Sequence, residues 1–133
     1  MNDNTEFTEL RVLVVDDSDF SRSLISRMVV ESGFQVVGEA ASAEAAMKMM
    51  KEKDPHVVIT DIVMPNISGI ELTEKITQNF DNIAVIVVSS LSQEHIVLEA
   101  IGAGATDFIP KPIQQQQLAD SLEKIYSQIK KNS

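Results

Sequence analysis

The chain has 133 residues, 44% of them apolar and 23% charged, a composition that fits one globular domain with a real core. Its formal net charge is −9, from 20 acidic and 11 basic residues. That leaves no basic stripe for gripping a phosphate backbone and suits a divalent cation or a basic partner, so no nucleic-acid binding is expected. Cysteine is absent, which removes disulfide and thiolate chemistry, and no apolar run approaches the ~20 residues that span a bilayer. The N-terminal MNDNTEFTEL is acidic and polar, unlike a signal peptide, so the expected compartment is cytoplasmic, with no membrane partner.

Residues 1–9 read as a flexible tail ahead of a single domain over 10–131. The first strand is expected at Arg11–Val15, an apolar β-branched run that stops at Asp16 and Asp17. Two carboxylates about 4 Å apart repel by roughly 4 kcal/mol at an effective dielectric near 20, so something should offset the pair unless it is solvated. Phe20, Leu24 and Met28 then repeat at i, i+4, i+8 and predict a helix with those residues on its apolar face. A second strand is expected at Gln35–Val37, followed by a helix over AEAAMKMMKEK capped by Ser42. Met47, Met49, Met50 and Met64 read as core or loop filler.

Val57–Thr60 predicts the third strand, ending at Asp61, and Ser68 with Glu71 forms a capping box for the next helix. Ala84–Val88 predicts the fourth strand, ending at Ser89 and Ser90. A helix over Ser92–Ala100 follows, stopped by the Gly102–Gly104 region. The weaker fifth strand, Asp107–Ile109, runs into Pro110, and proline cannot donate to an interior ladder, so this strand should lie at a sheet edge. Leu118, Leu122, Ile125 and Ile129 repeat on one face of the last helix, with Gln114–Gln117 read as its solvated first turn. The alternation is (βα)5, an α/β fold whose parallel sheet is covered on both faces.

Open α/β sheets bind ligands outside the carboxyl ends of their strands. Here those ends carry Asp16 and Asp17, Asp61, Ser89, and Lys111 before Pro112. Three carboxylates with room for water suit Mg²⁺, which takes one or two carboxylates plus phosphate oxygens. Each residue alone has a plainer role: Asp17 as a helix cap, Asp61 in an Asx turn, Ser89 as a cap, Lys111 as a solvated loop residue. Their coincidence at matching strand ends favours a site. His56 and His95 stand without companion ligands and read as bland.

The stretches VLVVDDS, VVITDIVMPNISGIEL, VIVVSSLS and AGATDFIPKP together resemble the receiver domain of bacterial two-component response regulators. The spacing is 44 residues from Asp17 to Asp61, 28 more to Ser89 and 22 more to Lys111. The phrases VVGEAASAEAAM and EAIGAGATDFIPKP are most similar to the stand-alone chemotaxis, CheY-like type. The resemblance implies a doubly wound, flavodoxin-like sheet of order 2-1-3-4-5, an order shared by flavodoxin and CheY, which puts the fifth strand at an edge.

It also implies roles. Asp61 would accept a phosphoryl group from a histidine kinase. Asp17, Asp61 and the backbone carbonyl of Val63 would bind Mg²⁺, and Asp16 would hold the metal's waters. Lys111 and Ser89 would contact the phosphoryl group. Ser89 and Phe108 would form a switch that reshapes the surface of the fourth helix, fifth strand and fifth helix for a downstream protein partner. The protein would be no enzyme beyond its own aspartyl phosphorylation and dephosphorylation.

Two features depart from the better-known motor regulators. Phe108 stands where they usually carry tyrosine. Val63 and Leu91, two beyond Asp61 and Ser89, are apolar where polar residues help orient a hydrolytic water. Related alternatives are a phosphate sink or a methylesterase-type receiver without its effector. From another class, Asp17-Ser18-Asp19 loosely matches the D-x-D opening of haloacid-dehalogenase-like phosphatases, in which Asp17 would be the nucleophile.

Overall fold

A computed structural model describes Leu10 to Asn132; the tail expected over 1–9 lies outside the described residues. Five strands, β1 (Arg11–Val15), β2 (Gln35–Ala40), β3 (Val57–Asp61), β4 (Ala84–Ser89) and β5 (Asp107–Pro110), alternate with five helices. The helices are α1 (Asp19–Glu31), α2 (Ala43–Lys53), α3 (Gly69–Asn79), α4 (Glu94–Gly102) and α5 (Gln115–Asn132). All neighbouring strands pair in parallel, in the order β2-β1-β3-β4-β5. Pro110 closes β5 at the sheet edge, opposite Ser89, where no further ladder needs its missing N–H.

The strand period of two splits the core cleanly. Val12, Val14, Val57, Ile59, Ile86, Val88 and Ile109 face α1 and α5, meeting Ile25, Val29, Leu118 and Leu122. Leu13, Val15, Val58, Val85 and Val87 face α2, α3 and α4, meeting Ala46, Met50, Leu72, Ile76 and Ala100. Each fully enclosed Leu, Ile or Val contributes roughly 1.5–3 kcal/mol of apolar burial. With both faces covered, the carboxyl ends of the strands are where loop side chains converge.

Three expectations need correction. The apolar face of α1 is Ile25, Met28 and Val29, whereas Phe20 is 80% and Leu24 41% exposed. The i, i+4, i+8 series shared only Met28 with the buried face. β2 runs to Ala40 instead of Val37, because Gly38, Glu39 and Ala40 pair with Leu13, Val14 and Val15 after a register irregularity. Gly and Glu are poor strand formers, so the sequence hid this half of the strand. Finally, Gln114, Gln116 and Gln117 are exposed as expected, but Gln115 is half-buried: its amide donates to the Met28 carbonyl and to Ser32 Oγ, both at 2.8 Å, tying the start of α5 to the end of α1.

The predicted helix ends are otherwise close. Ser42 caps α2 and Ser68 caps α3, each hydroxyl accepting an N–H at 3.1 Å. α4 lies two residues further on than its sequence window, over Glu94–Gly102. Met50 and Met64 are buried and Met47 and Met49 pack against the same core, as filler should.

Candidate functional site

The β1–α1 turn gives the two adjacent carboxylates opposite surroundings. Asp16 is fully buried, while Asp17 points to solvent. Asp16 Oδ1 accepts the Ser18 N–H at 2.9 Å; its Oδ2 accepts the Ser21 hydroxyl at 2.6 Å and the Lys111 ammonium at 3.1 Å. A buried carboxylate requires such partners, and three of its roughly four acceptor sites are taken. Ser18, not Asp17, caps α1, its hydroxyl accepting the Ser21 N–H at 3.2 Å. Asp17 is thereby left facing the rim. Arg22 fixes the same turn, donating to the Asp16 carbonyl at 2.7 Å and to Asp19 at 2.6 Å while lying 3.4 Å from Glu39 of β2.

Asp61 ends β3 and is half-buried. Its Oδ1 accepts the Ile62 N–H at 2.8 Å, and its Oδ2 lies 3.5 Å from Lys111 Nζ. Burial pushes the Asp61 carboxyl above the ordinary carboxylate range; Lys111 opposes that shift and Asp16 reinforces it. The following loop curls back so tightly that the Gly69 N–H donates to the Ile62 carbonyl at 2.8 Å. A Cβ on Gly69 would meet the Asp61 carbonyl oxygen at 1.8 Å, so only glycine lets the start of α3 sit over the end of β3. Val63, expected to offer its carbonyl, is an exposed residue of that loop.

Carboxylate oxygens of Asp16, Asp17 and Asp61 lie within 4.8 Å of one another. These hard, clustered oxygens, one set of them solvent-facing, fit a hydrated Mg²⁺. Lys111, carried by the β5–α5 loop with a cis bond to Pro112, reaches the cluster with its ammonium. It bonds Asp16 and Ser21 more closely than Asp61. Ser89 is buried at the end of β4, its Oγ accepting the Leu91 N–H at 3.0 Å, which leaves its own proton to donate. Ser89 does not cap α4, where the cap position is Gln93. Phe108 is half-buried against the core on the α4 side.

The sequence-derived set of Asp16, Asp17, Asp61, Ser89 and Lys111 thus ends up on one rim. Ser21, Arg22 and Gly69 were missed. Ser18 and Ser21 lie within the VDDSDFSR stretch, but nothing in spacing alone says that a helix residue five positions on turns back to Asp16. His56 belongs elsewhere: its Nδ1 accepts the Arg11 N–H at 3.0 Å, a structural role.

The acidic trio and the lysine lie at the carboxyl ends of the strands of a 2-1-3-4-5 sheet, where open α/β sheets bind ligands. The chain belongs to the response regulator receiver domain family, whose family model matches residues 12–123. It is 39% identical over 115 residues to the chemotaxis protein CheY of Thermotoga maritima, covering 86% of this chain and 96% of that protein. It is also 39% identical over 114 residues to CheY of Bacillus subtilis, covering 86% and 95%. The CheY-type chain in the crystal structure of the CheX-CheY-BeF3-Mg+2 complex from Borrelia burgdorferi superposes with a TM-score of 0.83 at 29% identity, covering 88% of this chain and 89% of that one. Receiver domains act in phosphorelay signalling rather than in metabolism, taking phosphate from histidine kinases and acting on downstream targets. No helix among the described residues is long and apolar enough to cross a membrane.

Proposed function

We propose that this chain is a chemotaxis receiver that takes a phosphoryl group from the phosphohistidine of a kinase onto Asp61. The observation that carries this is the placement of Asp61 within 4.8 Å of Asp16 and Asp17, with Lys111 Nζ 3.5 Å away. An Asp61 carboxylate oxygen forms the new bond to phosphorus as the phosphorus–nitrogen bond breaks, and the imidazole leaves with the bonding pair. Bound Mg²⁺ would supply charge neutralisation for the phosphoryl oxygens, held by Asp17, Asp61 and the Val63 carbonyl.

The chain's own residues do the rest by positioning and electrostatics, as phosphoryl transfer requires. Asp16 uses its remaining acceptor site toward the metal's waters. Lys111 pairs with the phosphoryl oxygens, and Ser89 donates its free proton to them. That movement of Ser89 opens space beside β5 for Phe108 and reshapes the α4–β5–α5 surface, where Leu98 and Ile101 already lie exposed for a protein partner. The relative solved with BeF3 and Mg²⁺ supports the reading.

The test is incubation with acetyl phosphate and Mg²⁺, followed by intact-mass analysis and peptide mapping. One phosphoryl group on Asp61, lost in Asp61→Asn, is the expected result. Undiminished modification of Asp61→Asn overturns the assignment, and modification of Asp17 favours the phosphatase alternative.

A further inference from the structure

Ser21 is a hydroxyl between two ions. Asp16 is an acceptor only and the Lys111 ammonium a donor only, which fixes the direction of both bonds. Ser21 donates its proton to Asp16 Oδ2 at 2.6 Å and accepts from Lys111 Nζ at 3.0 Å. The ammonium therefore stands 3.0 Å from Ser21, 3.1 Å from Asp16 and 3.5 Å from Asp61, drawn to the α1 side of the cluster.

We propose that Ser21 is a positioning residue that parks Lys111 beside Asp16 in the unphosphorylated protein and withholds it from Asp61. The inference rests on the phosphoacceptor reading above. A phosphoryl group on Asp61 has to draw the lysine off Ser21, so the hydroxyl competes with the phosphorylated state. Ser21 keeps its bond to Asp16 after the lysine leaves, so the cost falls on the ammonium alone. The site is built on the first turn of a well-anchored helix, and alanine there keeps the backbone bond to Ser18 and favours helix.

The experiment is a calorimetric titration of the full chain with beryllofluoride, a phosphoryl mimic, at saturating Mg²⁺. A separate titration uses Mg²⁺ alone. Losing one charge-assisted competitor should tighten beryllofluoride binding by Ser21→Ala by about five- to tenfold. Ser21→Thr, which keeps the hydroxyl, should return to the wild-type affinity, and Mg²⁺ affinity should differ less than about twofold between wild type and Ser21→Ala. Beryllofluoride binding that is unchanged or weaker in Ser21→Ala overturns the parking role, as does a parallel loss of Mg²⁺ affinity, the mark of a merely structural prop for Asp16. A wild type that binds Mg²⁺ but no beryllofluoride overturns the phosphoacceptor reading, and the parking role falls with it.

Discussion

Asp16 and Asp17 are adjacent in sequence but physically unlike. One is enclosed and bonded by Ser18, Ser21 and Lys111; the other is exposed at the rim. The repulsion implied by the doublet is offset for Asp16 by the lysine and left for a cation to offset at Asp17. Mg²⁺ should therefore raise the melting temperature of the wild type, by an amount equivalent to roughly 2.7 kcal/mol at 100 times its dissociation constant. Asp17→Asn should remove most of that gain while leaving the metal-free protein as stable or slightly more so. Thermal melts with and without Mg²⁺ check both halves, and a wild type indifferent to Mg²⁺ contradicts the site. Gly69 is the other decisive residue. Placing a methyl 1.8 Å from the Asp61 carbonyl oxygen forces backbone apart, so Gly69→Ala should cost about 1–3 kcal/mol of stability and weaken phosphorylation. Denaturant unfolding that matches the wild type would show that the loop yields freely.

At the scale of elements, β1 and β3 are joined by more than their ladder. His56, just before β3, accepts the Arg11 N–H through Nδ1, so that nitrogen must stay unprotonated. Burial, helped by the Arg11 charge, holds the imidazole below the ordinary histidine range. A depressed histidine contributes stability that is present above the unfolded value and lost as pH falls through it and on to the folded one. Stability should accordingly fall between about pH 6.5 and the more acidic range. His56→Asn, which keeps an acceptor but cannot titrate, should flatten that part of the curve; denaturant midpoints across pH measure it, and parallel curves for the two proteins argue against His56 as the cause. Most elements were legible because β-branched runs and serine caps are local signals. What was not legible depended on tertiary contacts. Gly38 and Glu39 become strand only because β1 pairs with them, and the stripe through Phe20 is decided by which face of α1 meets the sheet. The candidate rim was readable because chemistry-bearing residues stand at the carboxyl ends of β1, β3, β4 and β5. Ser21, Arg22 and Gly69 were not, because their importance lies in bonds and close approaches made after folding.

Across the whole molecule, the proposed switch would link the rim to the α4–β5–α5 face through two adjacent strands. Ser89 pairs with Pro110 and Val87 with Phe108, so under that proposal a shift at the end of β4 would be felt along β5. Turning Phe108 fully inward would bury apolar area worth up to about 1.5–3 kcal/mol, enough to bias a two-state surface. Hydrogen exchange with beryllofluoride and Mg²⁺ should alter protection over 92–104, at Phe108 and over 113–122. In Ser89→Ala, Asp61 should still be phosphorylated but most of the remote change should vanish. Changes confined to the Asp61 loop, or persisting intact in Ser89→Ala, would refute the coupling.

The bond from Lys111 to Asp16 spans 95 positions of the chain. It also has a consequence for how the protein comes into being. Asp16, Asp17 and Asp61 are all synthesised before the residue that neutralises them, and the buried carboxylate gains its cation only when β5 has docked at the sheet edge. Contacts of such separation form late, because the closure entropy must be met before they reward it. On the proposed phosphoacceptor reading, a nascent or partly refolded chain would therefore carry Asp61 without Lys111 beside it. Competence to receive a signal would in this way be gated by completion of the fold, and in refolding experiments beryllofluoride binding should recover together with the full native signal and never ahead of it.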